Sequence, residues 1–126
     1  MSISNYLEDN LLNLVLRNTT FGAITAVYMS LHTADPGETG TGSPLASCPR
    51  FAVTFNAAAS ATSVNGATAS VVASSTGTVT YAGLWDGAST ATANHLWSGA
   101  LGTSKVVANV GDTVTLASGA LAVSLS

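Results

Sequence analysis

The apolar positions of the chain change period once, near residue 26. Before it, Leu7, Leu11, Leu14 and Val15 fall at i, i+4, i+7 and i+8, the spacing that lines one face of a helix. This predicts a helix over residues 4–17, SNYLEDNLLNLVLR. Ser4 or Asn5 can cap its first turn, and Asn5 with Glu8 has capping-box spacing. Glu8 and Asp9 then sit near the positive end of the helix dipole and Arg17 near the negative end. Leu12 and Leu16 widen the apolar stripe, so the helix needs cover on more than one side, from its own chain or from a neighbour.

After the break at Asn18 to Gly22 the period becomes two. Between Ala26 and His32, Val27, Met29 and Leu31 alternate with Tyr28, Ser30 and His32, as in a strand with one buried face. The pattern then stops. Residues 33–50, TADPGETGTGSPLASCPR, hold all three prolines and show no apolar period, which predicts an extended loop or arm with a tight turn at Asp35-Pro36-Gly37.

From Phe51 onward short strands follow one another. Phe51, Val53 and Phe55 share a face, and Asn65-Gly66 carries the two-residue hairpin signal, so the strand from Ala69 to Ala73 is expected to pair back on its predecessor. The segment Thr78 to Leu101 holds both tryptophans and reads as the central strand pair. In it Val79, Tyr81, Gly83 and Trp85 are expected on one face against Thr80, Ala82 and Leu84. His95, Trp97 and Gly99 are likewise set against Leu96, Ser98 and Ala100. Strands at Lys105 to Ala108, Thr113 to Leu116 and Leu121 to Leu125 complete the chain. The expected fold is one all-β domain over residues 1–126, an antiparallel β-sandwich or jelly roll of eight or nine strands preceded by one helix.

Composition narrows the function classes. Only 7% of the residues are charged, against roughly 25% in an average soluble domain. Such a surface, built from Ser, Thr, Asn and Gly, suits a subunit of an assembly better than a free monomer. The net charge of -3, with Arg17, Arg50 and Lys105 scattered, gives no basis for nucleic-acid binding. No apolar run reaches the ~18 residues of a membrane span. Glu8 and Asp9 stand where a secretory leader needs basic residues, and the lone Cys48 closes no internal disulfide, so assembly in a cytoplasm is expected.

Candidate chemistry is sparse. His32, Asp35 and Glu38, with Asp86 or His95, could gather on a metal, but no zinc or calcium spacing is present. Ser30, His32 and Asp35 invite a hydrolase reading, yet no nucleophile elbow surrounds Ser30. His95 is expected to cap or to pack on Trp97, and Cys48 to be an inert loop residue. Tyr28, Tyr81, Trp85 and Trp97 are expected to be core, or a sugar-stacking platform if exposed. No catalytic residue, cofactor or metal is expected.

LHTADPGETGTG (Leu31 to Gly42), RFAVTF (Arg50 to Phe55), TGTVTYAGLWD (Thr76 to Asp86), LWSGAL (Leu96 to Leu101) and KVVANVGDTVTLASGALAVSL (Lys105 to Leu125) occur here in order behind the NYLEDNLLNLVLR helix. In this the chain resembles a family of short proteins of tailed bacteriophages, labelled tail-fibre or minor virion proteins. The resemblance implies a non-enzymatic structural component of the virion, a homo-oligomer whose partners are other capsid or tail subunits. Two roles fit it. One is a trimeric capsid decoration or cement protein; the other is a small tail-associated domain facing the host surface. The lack of a coiled-coil or repetitive shaft favours the shell role. In either, the helix and the arm are expected to hold neighbouring subunits through Leu7, Leu11, Asp35, Pro36, Glu38, Pro44 and Arg50, with the arm serving assembly more than folding. A glycan-binding tail module is the alternative from another class.

Overall fold

The computed structural model describes residues 2–125. In chain order its elements are β1 (Ser2–Ile3), α1 (Asn5–Arg17), β2 (Val27–His32), β3 (Phe51–Val53), β4 (Thr62–Val64), β5 (Ala69–Val72), β6 (Gly77–Trp85), β7 (His95–Val107), β8 (Thr113–Leu116) and β9 (Ala122–Ser124). All pairings are antiparallel. Five strands form one sheet in the order β1-β7-β6-β2-β3, and two ribbons, β4-β9 and β5-β8, complete the other layer. The all-β sandwich with one N-terminal helix is therefore the fold, and β6 lies in the middle of its main sheet.

The two layers close over a single apolar core. Met29, Leu31, Val79, Ala82, Leu84 and Leu96 enter it from the sheet, and Ala69, Val114, Leu116, Leu121 and Val123 from the ribbons and their connections. Each large side chain buried in this way contributes about 1.5–3 kcal/mol.

Two irregularities in the β6-β7 pairing redirect side chains that simple alternation assigns to other faces. The register shifts between Val79 and Tyr81, so Val79 joins Ala82 and Leu84 in the core instead of sharing a face with Tyr81, Gly83 and Trp85. A second shift lies between Leu84 and Trp85. Leu84 pairs with Trp97 and Trp85 with His95, which puts His95 and Trp97 on opposite faces where period two put them together. Trp97 consequently packs against the core, and Trp85 and His95 turn outward from it.

The expected hairpin at Asn65-Gly66 does not form. β4 pairs with β9 and β5 with β8, so the two strands beside the turn belong to different ribbons. Asn65 is fully buried and its side chain bridges three chain segments. Nδ2 donates to the carbonyls of Ala67 (3.0 Å) and Ala117 (2.9 Å), and Oδ1 accepts from Leu121 N at 2.9 Å. The side chain thus saturates long-range backbone groups that a local turn would have left to other partners.

Helix α1 begins where the capping residues predicted. Ser4 is the N-cap; its Oγ accepts from Leu7 N and donates to the His95 carbonyl, tying the helix start to β7. At the other end Asn18 takes the left-handed conformation (φ 52°) and its N–H returns to Asn13 O. Only Leu7 is fully buried. Leu11 is half-buried, while Leu12, Leu14, Val15 and Leu16 are 57, 41, 75 and 75% exposed.

Candidate functional site

The face of the main sheet turned away from the ribbons carries a compact polar and aromatic cluster. Residues 33–50 fold back over it. Thr33 N donates to Ser43 O and Leu45 N to Leu31 O, an isolated bridge joins His32 to Pro44, and the Leu45 side chain enters the core. The segment expected to be an extended loop or arm is therefore a loop that covers its own sheet.

Two imidazoles fasten that cover. His32 Nδ1 lies 2.7 Å from Gly42 O, and His95 Nδ1 lies 2.9 Å from Glu38 O. A carbonyl only accepts, so both Nδ1 atoms are the donors. With its proton on Nδ1, His32 accepts at Nε2 from Ser30 Oγ (2.7 Å), which in turn accepts from Trp85 Nε1 (2.8 Å). The hydrogen bonds run in one direction, from indole through hydroxyl and imidazole to the loop carbonyl. Burial first of all pushes the His32 pKa below its ordinary value; the charges of His95 and Arg50 add to this, and the bond to Gly42 opposes it. Between the two fastenings Gly40 adopts φ +71° against Trp85 and His95, whose rings are 4.9 Å apart. Across the Trp85 ring the Arg50 guanidinium stacks at 3.4 Å and donates from Nη1 to Ser89 O.

A pocket of about 190 Å³ remains between the loop and the sheet, bounded by Ser30, His32, Cys48, Arg50, Trp85 and Thr90. Burial raises the Cys48 thiol pKa, which keeps it in the unreactive protonated form. Ser30 and His32 have the separation of a nucleophile and its base, but the hydroxyl is held by the Trp85 N–H and the far imidazole nitrogen by a backbone carbonyl. Asp35, the third member of the hydrolase reading, is exposed and accepts from Gly37 N. Among the described residues no three His, Cys, Asp or Glu side chains gather closely enough to hold a metal ion.

The residues expected at subunit contacts separate into two groups. Leu7 is in the chain's own core, Pro36 is buried with its carbonyl accepting from Gly42 N, and Arg50 is stacked on Trp85; these three already have intramolecular roles. Leu11 is half-buried against the core. Asp35, Glu38 and Pro44 are exposed, although the Glu38 carboxylate accepts from Asn5 N and so also anchors the helix. Of the four aromatics that a sugar-stacking platform would need exposed, Trp85 is 4% exposed between Arg50 and His95, Trp97 is half-buried against the core, and Tyr28 and Tyr81 are half-buried. The cluster of Ser30, His32, Trp85 and His95 was not anticipated as a unit. Ser30 and His32 were legible as neighbours on one strand face; Trp85 joins them through the regular β2-β6 pairing, which no local pattern gives, and His95 through the register shift in β6-β7.

Sandwich, helix and cover together define a small structural β-domain whose internal polar groups hold one loop in place. Over residues 2–124 the sequence matches the family of Podophage GP4 fiber I protein gp80, and the chain belongs to that family. It is thus a virion-associated structural component of the phage-fibre type, in contact with other virion components. No curated protein matches the chain significantly.

Proposed function

We propose that the chain is a non-enzymatic, tail-associated fibre component that works through contacts with neighbouring subunits. The observation that carries this reading is the family match along residues 2–124. It supports the tail role over the shell decoration that the missing shaft had favoured. The domain itself supplies no shaft: α1 has 13 residues and is about 20 Å long at ~1.5 Å per residue. The chain therefore acts as a compact module seated on a larger structure. The polar cluster under the loop ties the loop to the sheet through the two imidazoles, Ser30 and Trp85, while the buried His95 Nε2 has no hydrogen-bond partner among the described residues.

The test is to add labelled protein separately to isolated heads and isolated tails and to count bound copies. Low-copy, saturable binding to tails is expected. Saturation of heads at high copy number, with none on tails, would return the chain to the shell role.

A further inference from the structure

Residues 36–42, the tip of the covering loop, are held differently from its base. The base is tied down by the hydrogen bonds from Thr33 N to Ser43 O and from Leu45 N to Leu31 O, by Thr80 Oγ1 donating to Thr33 O, and by the buried Leu45 side chain. The tip, PGETGTG, closes largely on itself: Gly40 N donates to Gly37 O, Gly42 N to Pro36 O and Gly37 N to the Asp35 carboxylate. Only Pro36 and Gly40 are buried in it, so little apolar area holds it in place. Among the described residues three hydrogen bonds join the tip to the rest of the fold. His32 Nδ1 donates to Gly42 O, His95 Nδ1 to Glu38 O, and Asn5 N to the Glu38 carboxylate, the last of them exposed.

Beneath the tip lie Trp85 and His95, both buried. A Cβ on Gly40 would come within 2.5 Å of His95 Cδ2, the atom bonded to Nε2, so the tip rests against that edge of the ring. His95 Nε2 is sealed there without a hydrogen-bond partner among the described residues. Cavities of about 190 and about 390 Å³ adjoin the tip, and Thr41, Trp85 and Thr90 border both. Lifting the tip would join the two into one cleft along Trp85 and open His95 Nε2 to water.

Both imidazole fastenings are sensitive to a second proton. On His95 that proton would sit on Nε2, where the closed tip leaves it no acceptor. On His32 it would meet Ser30 Oγ, which already accepts from Trp85 Nε1 and would have to turn its own hydrogen to Gly83 O at 3.4 Å. The surrounding groups do not relieve this. His32 faces the charges of His95 and Arg50, with Tyr81 opposite it in the β2-β6 pairing and Cys48 across the smaller cavity. The Glu38 and Asp86 carboxylates are engaged by Asn5 N and by Asn94. Burial lowers the His32 pKa while the tip is shut, so acid favours the state that returns the ring to water. We propose that residues 36–42 are a lid released by mild acid, which lifts off Trp85 and His95 while the sandwich stays folded.

The test is acrylamide quenching of Trp85 fluorescence in the Trp97→Phe chain, where Trp85 is the only indole, with circular dichroism followed in parallel. Between about pH 7.5 and about pH 5.5 the quenching constant should rise about twofold or more while the far-ultraviolet spectrum stays unchanged. In the wild-type chain, as a reading independent of that substitution, exchange of the Trp85 indole N–H should accelerate relative to that of Trp97 over the same range. Gly40→Ala, whose Cβ would wedge the tip away from His95 and Trp85, should show the acid level of quenching already at neutral pH. His95→Phe, which keeps a ring and removes the bond to Glu38, should do the same. His32→Gln should reduce the acid response. Three results would overturn the proposal: quenching and indole exchange that stay flat or change only where the circular dichroism is lost, Gly40→Ala and His95→Phe chains both quenched like their parent at neutral pH, or a full acid response in His32→Gln.

Discussion

Gly40 lies so close to His95 that a Cβ at residue 40 would be 2.5 Å from His95 Cδ2 and 2.7 Å from Trp85 Cζ2. The close approach lets the loop descend onto the sheet far enough for Glu38 and Gly42, on either side, to accept from the two imidazoles. Gly37 has the same φ of +71° but open space around it. Gly37→Ala should therefore show only the conformational penalty, about 1 kcal/mol. Gly40→Ala should add the clash, a further ~1–3 kcal/mol. Chemical denaturation of both variants measures the difference, and equal effects would mean that the loop can lift without loss.

The depressed pKa of His32 has a pH consequence. The folded state binds a proton at His32 less readily than the unfolded chain, whose imidazole titrates at the ordinary 6.5. Stability from this group is thus fully present above that value and declines as pH falls below it. The denaturation midpoint should drop between about pH 7.5 and about pH 5, and His32→Gln should flatten that portion of the profile. A wild-type profile flat across this range would mean that His32 protonates without disturbing its partners.

Asn65 joins the ribbons through three side-chain hydrogen bonds. Asn65→Ala would leave the buried Leu121 N–H without its partner and take one donor from the exposed Ala67 and Ala117 carbonyls, the latter still accepting from Ala120 N, at a cost of about 1–3 kcal/mol. Native-state hydrogen exchange should show the loss first at Leu121 and along β9. Uniform loss across all strands would mean that the ribbons unfold only with the sheet.

Helix α1 offers a direct contrast between its two faces. Leu7→Ala, in the core, should destabilise the isolated domain by about 2–5 kcal/mol. Val15→Ala, at a position 75% exposed, should stay within about 0.5 kcal/mol when measured at concentrations low enough to avoid association. A large effect at Val15 in dilute solution would show that the outer face is already covered within one chain.

Features whose cause lies within a few residues were legible in the sequence. The 3.6-residue spacing of Leu7, Leu11 and Leu14, with Ser4 ahead of it, set the helix to within one residue. The alternation from Val27 to His32 set β2 and its two faces, because each side chain's direction follows from the local backbone. The turn-separated short strands were enough for an all-β class. What the tertiary structure alone decided depends on partners far away in the chain. Asn65-Gly66 became a junction because β4 and β5 found β9 and β8, more than forty residues on, instead of each other. One extra residue in the β6-β7 register moved His95 away from Trp97 and onto Trp85, and no local pattern encodes which strand accommodates that residue. The loop from 33 to 50 looked like an arm because it lacks apolar period. It is held by two histidines, a glycine and Arg50, whose contacts come from pairing, stacking and close approach, and these leave no periodic trace.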